Sequence, residues 1–278
     1  MDNKAINKDY YDNVYSKTDI DTIVKNIKNF ENYYKELTTY HIDWVGFYKN
    51  NFHKNVKNKK ILELGCGNGT NSAILAKLGA EVYANDISQF SEIIIKKLNE
   101  KLTFDKNINS VSGDFLDANL ESNMFDMVVG KAFVHHLTHA EEDLFMQKII
   151  NILKPKGVVR FFEPAVNSRM LDEIRWLIPV PGRPSKLQIN KFKNWKKNDH
   201  HPERDNSTSR YSKIGKKYFK EFHISHIGTL ERFSRLIPNG HFNLSFRKHA
   251  YSIEKYIPKY INMKFARAQV VDYRFPKK

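Results

Sequence analysis

The chain has 278 residues, 41% hydrophobic and 28% charged. This is the make-up of a globular protein with room for a sizeable core, not of a disordered tail or a fibre. A single cysteine, Cys66, excludes an intramolecular disulfide framework. The start, Met1-Asp2-Asn3-Lys4, has no apolar signal core, and no run approaches the roughly 18 apolar residues of a membrane span, so a cytoplasmic setting is expected. The net charge of +15 is unevenly placed: residues 164–278 carry +16, residues 61–163 carry −4 and residues 1–60 carry +3. A basic C-terminal part predicts an anionic partner, with a solvated lysine-rich surface as the alternative.

Residues 1–57 precede the first expected strand. They hold a polar-aromatic stretch with Tyr10, Tyr11 and Tyr15, a helix expected over 21–37, and Trp44 and Phe47 as packing residues. Ile61 to Leu64 is a short apolar run that reads as a buried parallel strand. Gly65-Cys66-Gly67-Asn68-Gly69-Thr70 follows at once, then an apolar-periodic helix with Ile74, Leu75 and Leu78 that stops at Gly79. A second strand, Glu81 to Ala84, ends at Asp86. Strand, glycine turn, helix, strand and acid make half of a nucleotide-binding α/β unit. The glycines let the backbone approach a ligand that a Cβ would push away. Asp86 stands about 20 residues after the first glycine, where such folds place a carboxylate on ribose hydroxyls.

A G-x-G-x-x-G pattern would point to a dinucleotide. Here Gly65, Gly67 and Gly69 form G-x-G-x-G, Thr70 stands where the third dinucleotide glycine would be, and Glu63 lies two residues before the first glycine. Glu63 to Gly69 resembles the first motif of the class I S-adenosylmethionine-dependent methyltransferases. The resemblance implies a donor whose methionine end enters the glycine turn beside Glu63, Cys66 and Asn68, and whose ribose meets Asp86 and Ile87. It also implies that residues 1–57 fold over the donor as a helical lid, with Tyr11 as a contact and Tyr10 and Tyr15 as further candidates. An aromatic face suits a sulfonium; simple packing of these tyrosines is the alternative.

Further along, Ser88 can cap a helix carrying Ile93, Ile94, Ile95 and Leu98, and a third strand ends near Val111. Asp114-Phe115 after it resembles the third motif of the family, which implies that Asp114 meets the adenine amino group. A carboxylate is the acceptor such a group wants, and closing a turn is its other reading. Phe125 to Lys131 reads as a fourth, fully buried strand, followed by Ala132-Phe133-Val134-His135-His136-Leu137. Together they resemble the fourth motif, which implies contact of Lys131 and the histidine turn with donor and substrate. A helix over 140–153 is expected to carry Leu144, Phe145, Ile149 and Ile152 on one side. Leu153 to Glu163 resembles the family's L-K-P-G-G turn and fifth strand, with Lys156 in place of the first glycine. Five such segments in order over 59–163 imply a Rossmann-like α/β fold: a seven-stranded, mostly parallel sheet with helices on both faces. Residues 1–57 would be the lid and 58–278 the methyltransferase domain.

Beyond Glu163 the resemblance thins. Pro164, Pro179, Pro181 and Pro184 forbid a long helix, though Ser168 to Ile178 suits a short one. Asn190 to Ser212 is polar, basic and turn-rich, and residues from about 164 to 218 read as an insertion covering the substrate. Phe219 to Ile227 and Gln269 to Phe275 are the expected last strands. Tyr251 to Tyr260 is a partly apolar stretch interrupted by Pro258.

A sulfonium methyl is already activated, so transfer by in-line displacement mainly needs alignment and exclusion of water. A hydroxyl or ammonium acceptor also needs a base. His135 and His136 are the candidates, with Glu163 as a second base or as the group that orients a histidine, since α/β ligands sit at strand C-termini. Asp199-His200-His201 with Glu203 are adjacent, cysteine-free and in a polar segment, so no metal is expected. Arg204, Arg210, Lys213 and Lys216 could hold an anionic group of the substrate. The leading expectation is methyl transfer from S-adenosyl-L-methionine, leaving S-adenosyl-L-homocysteine. The acceptor is expected to be a small molecule, at a hydroxyl of a sugar, polyketide or other secondary metabolite. A tRNA or rRNA methyltransferase is the alternative that the basic half suits, although the chain has no recognisable RNA-binding module and no Asn/Asp-Pro-Pro-Tyr tetrapeptide. A non-catalytic binding partner built on the same fold is the third reading, and the intact glycine and acid motifs speak against it.

Overall fold

The computed structural model of the protein describes residues 3–278. It opens with four helices: α1 (Asn3–Tyr15), α2 (Ile20–Lys28), α3 (Phe30–Tyr40) and α4 (Ile42–Phe47). The single helix expected over 21–37 is two. Asn29, at φ −97° and ψ 48°, leaves helical geometry and serves both as the C-cap of α2 and the N-cap of α3. The break lets Ile23, Val24 and Ile27 of α2 reach the core in one direction while Leu37 of α3 reaches it in another.

The sheet then builds in chain order. β1 (Lys60–Leu64), α5 (Thr70–Lys77), β2 (Glu81–Asp86), α6 (Gln89–Lys101) and β3 (Asn109–Ser112) form the first half, and Ser88 caps α6. β4 (Phe125–Lys131), α7 (His139–Ile152) and β5 (Leu153–Pro164) continue it. The expected turn at Leu153 is absorbed into β5 as a register shift opposite Phe125 and Met127. α8 (Arg169–Leu177), α9 (Ile189–Lys197) and α10 (Thr208–Tyr218) lead to β6 (Phe219–Ile227). α11 (His241–Glu254) and α12 (Lys259–Phe265) precede β7 (Ala268–Pro276). The strand order is β3-β2-β1-β4-β5-β7-β6, with β7 antiparallel to both neighbours and the other pairings parallel.

Alternation along the strands divides the core in two, because successive side chains point to opposite faces. Ile61, Met127, Val129, Phe162 and Val270 pack on the face covered by α2 to α6. Leu62, Leu64, Val128, Phe161 and Val271 pack on the face covered by α7 and α10. On α7 the buried side is Phe145, Met146, Ile149 and Ile152, and Leu144, expected among them, is 50% exposed. It lies one position off the stripe, where the helical period turns it outward. The stretch 190–212, expected to be turn-rich, contains most of α9 and the start of α10. Phe192 and Trp195, three apart on one side of α9, pack against Trp176 of α8 at ring distances of 5.7 Å each, which gives this lysine-rich helix a face to bury. Among the described residues no helix is long and apolar enough to cross a membrane.

Candidate active site

The turn after β1 is held by glycine geometry. Gly65, Gly67 and Gly69 all have φ between +58° and +71°, a region that a Cβ disfavours. Space reinforces the conformation: a Cβ on Gly65 would lie 2.5 Å from the Phe133 ring, and one on Gly67 would lie 2.7 Å from the Tyr15 hydroxyl. Asp86 closes the turn from β2. Its Oδ2 accepts from the Gly67 N–H at 2.8 Å and its Oδ1 from the Ser88 N–H at 2.9 Å. Burial raises its pKa. Beneath the turn, Glu63 is buried and accepts from Asn71 Nδ2 at 2.7 Å and from the Ser72 hydroxyl. Burial pushes its carboxyl up to about 7 despite these bonds.

At the end of β4 the chain reverses through Ala132, a non-glycine residue at φ 56°, and enters a short 3-10 turn, Val134–His136. Glu163 at the end of β5 organises that turn. Its Oε1 accepts from the N–H groups of Phe133 at 3.0 Å and Val134 at 2.7 Å, and its Oε2 from the N–H of His135 at 3.2 Å. Oε2 also faces His135 Nδ1 at 2.7 Å. A carboxylate on Nδ1 makes that nitrogen the donor and leaves the Nε2 lone pair free. His136 is the deeper ring: its Nε2 meets the Tyr11 hydroxyl at 2.9 Å. Burial, then His135, His201, His200 and Arg204, push its pKa far down, so it stays neutral.

Helix α1 lies across both turns. Asn3 Nδ2 donates to the His136 carbonyl, Lys4 Nζ is 2.6 Å from Asp114, Asp12 accepts from the Ser88 hydroxyl at 2.5 Å, and Tyr11 reaches His136. Under it runs a cleft with about 850 Å³ of empty space, open solvent included, between Asp86, Ile87, Asp114 and Phe115 on one side and Phe133, His136 and Leu137 on the other. A second hollow, around Glu63, Cys66, Gly67 and Asn68, shares Tyr15, Gly65 and Lys131 with the cleft, so the two form one trough.

Residues 61–157 match the family described as a methyltransferase domain. Among curated proteins, the chain is 34% identical over 107 residues to a cypemycin N-terminal methyltransferase of a Streptomyces species, covering 38% of this chain and 42% of that one. It is 30% identical over 110 residues to a ubiquinone biosynthesis O-methyltransferase of Pelagibacter ubique, again 38% and 42%. The matched stretch thus spans less than half the length of these relatives. Among solved structures, phosphoethanolamine N-methyltransferase 2 of Haemonchus contortus, in complex with phosphomonomethylethanolamine and S-adenosylhomocysteine, superposes with a TM-score of 0.54. It is 14% identical, over 94% of this chain and 61% of that one. Residues 61–157 thus carry a methyltransferase domain similar to the one in these relatives.

The trough collects the residues that the sequence marked for the donor. Tyr11, Asp86, Ile87, Asp114 and Phe115 line the cleft, Glu63, Cys66, Gly67 and Asn68 the second hollow, and Gly65 and Lys131 both. Several already have partners: Lys131 is 2.8 Å from Asp43 and lies over Trp44, Asp114 holds Lys4 and accepts from the Leu116 N–H, and Phe115 is 1% exposed and packs on Phe145. The Cys66 thiol is buried and its pKa is raised, which rules it out as a nucleophile at neutral pH. Of the three acid–base candidates, His136 lines the cleft, while His135 and Glu163 stand behind it. Of the four basic residues assigned to an anionic group, Arg204 and Arg210 are both committed to Glu142, and Lys213 and Lys216 are exposed on α10.

Two features escaped the sequence reading. Lys4 and Asn7 join the expected Tyr11 and Tyr15 in lining the trough from one side of α1, and the spacing of three and four was a usable signal. His200 and His201, far along the chain, arrive beside His135 and His136. Arg204 carries them there: its Nη1 donates to the carbonyls of Val134 and Leu137 at 2.6 Å each.

Proposed function

We propose that this chain transfers a methyl group from S-adenosyl-L-methionine to a small-molecule acceptor, most suitably at a hydroxyl of a secondary metabolite such as a sugar or polyketide. The observation that carries the reading is the continuous trough joining the glycine turn and Asp86 to the histidine turn. The methionine end would lie beside Glu63 and Gly65 to Asn68, the ribose on Asp86, and the adenine beside Asp114 and Phe115. The acceptor would enter between Phe133, His136 and Leu137, an apolar wall with one polar ring. The donor would supply an activated methyl to the acceptor oxygen and leave as S-adenosyl-L-homocysteine, and the hydroxyl proton would pass to His136, the histidine that lines the cleft. Glu163 acts as the positioning residue for the turn that carries this ring, through the N–H groups of Phe133, Val134 and His135. The relatives support a small acceptor by their names, which cite a quinone pathway and a phosphorylated amine.

Calorimetry with the donor, and radiolabelled methyl transfer across a metabolite panel, test the reading. Asp86→Asn is expected to weaken donor binding about tenfold or more, the loss of a charged acceptor. His136→Asn is expected to lower kcat by about 10²–10⁴ with donor affinity unchanged. Binding of a nicotinamide dinucleotide in place of the donor, or unaltered donor affinity in Asp86→Asn, would overturn the assignment.

A further inference from the structure

Four imidazoles meet where the loop after α9 crosses the histidine turn. The ring of His201 lies 5.3 Å from that of His135 and 4.6 Å from that of His136, and the ring of His200 lies 5.2 Å from that of His136. One ligand-capable atom from each of His135, His136 and His201 falls within 4.8 Å of the other two.

What stands behind each ring is informative. His135 Nδ1 is backed by Glu163 at 2.7 Å, His201 Nδ1 by Asp199 at 2.6 Å, and His136 Nε2 by the Tyr11 hydroxyl at 2.9 Å. Each contact fixes one nitrogen and leaves the other with a lone pair, which is how metal-binding histidines are oriented by their outer partners. His136 is 9% exposed, and its Nδ1 is buried without a hydrogen-bond partner among the described residues, as is His200 Nε2. A buried, unpartnered ring nitrogen is an expensive feature unless something binds it.

We propose that His135, His136 and His201 bind one divalent transition-metal ion of the zinc class. Three imidazoles favour such an ion over magnesium or calcium, which prefer oxygen ligands, and three protein ligands leave a fourth position for water or a substrate oxygen. A tetrahedral ion with bonds of about 2.0–2.1 Å needs its nitrogens about 3.4 Å apart. His201, exposed and on a loop, is the ring that moves in to meet it. The consequence for catalysis rests on the methyl-transfer reading, although metal binding does not. An ion on His136 takes the lone pair that would otherwise accept the acceptor's proton, and an acceptor oxygen on the open position is acidified by the ion instead.

Tag-free protein, stripped with a chelator, is titrated with Zn²⁺ by calorimetry and with Co²⁺ by visible absorption. One ion per chain is expected, with a tetrahedral Co²⁺ spectrum. Affinity should fall at least 100-fold in His201→Ala and about 10–100-fold in Asp199→Asn. Both positions lie on the α9–α10 loop outside the core, so folding survives and the test stays decisive. Absence of Zn²⁺ binding at micromolar concentration, or unchanged affinity in His201→Ala, overturns the site. Donor binding measured on the same samples is expected to be independent of His201, so a failure of the metal site is distinct from a failure of the methyltransferase reading.

Discussion

Glu63 shows how a single buried carboxyl ties the donor turn to pH. Burial pushes its pKa up to about 7, with Asp86 adding to the rise, while the bonds from Ser72 and Asn71 and the charge of Lys131 hold it down. The unfolded chain gives up this proton near pH 4.5 and the folded chain keeps it until about 7. The folded state therefore binds more protons across that window, and this group's contribution to stability falls as pH rises through it. The span corresponds to about 3 kcal/mol. Glu63→Gln keeps a hydrogen-bonding side chain of the same shape and removes the titration. Urea unfolding of both proteins from pH 4.5 to 8 should show wild type losing about 3 kcal/mol relative to the variant, and a stability gap that does not change with pH would sink the idea.

At the scale of elements, the loop joining α9 to α10 is fixed by one side chain. Arg204 is 1% exposed; it spans two carbonyls of the histidine turn and approaches Glu142, which Arg210 also holds. Removing it strips two carbonyls of their donor and a buried carboxylate of one of its two cations. Arg204→Ala is expected to cost about 3 kcal/mol, read as a fall in Tm of roughly 6–12 °C. Arg204→Lys should land between, because an ammonium restores the charge but not the planar fork. A Tm within about 2 °C of wild type in Arg204→Ala would show that the loop is held otherwise. The same contact marks the limit of what the sequence disclosed. Apolar runs such as Ile61–Leu64 and Phe125–Lys131 announced their strands because burial on both faces leaves them few polar positions, here Glu63, Asp126 and Lys131, and the glycine turn announced itself by backbone demands that glycine meets best. The arrival of His200 beside His136 depends on an arginine binding main-chain carbonyls seventy positions away, and such a contact leaves no periodic trace. The break at Asn29 was equally silent, since asparagine is tolerated both inside a helix and at its end, and packing of Ile27 and Leu37 decided the matter.

For the whole molecule, the placement of one basic groove bears on whether RNA is an acceptor. Lys54, Lys57, Lys59, Lys156 and Arg274 line a broad groove together with Glu221, in which Lys154 is paired with Asp126 and Arg160 with Asp272, each at 2.9 Å. These lysines and Arg274 precede β1, open β5 and close the antiparallel β7, so the groove lies at the N-terminal edge of the parallel strands. The cleft beneath α1 opens at the opposite edge, beyond the strand C-termini, where α/β folds hold their ligands. A polyanion drawn to the groove is thus kept a full sheet's height from the cleft. We expect tRNA to bind weakly at about 50 mM salt and to lose about 10³-fold or more in affinity by about 200 mM, as counterion release dictates for several phosphate contacts. No labelled methyl should enter the RNA at either salt concentration, while transfer to a small acceptor should be insensitive to salt over the same range. Methyl incorporation into tRNA or rRNA would show that the strand reaches the cleft after all, and would make RNA the acceptor in place of a metabolite.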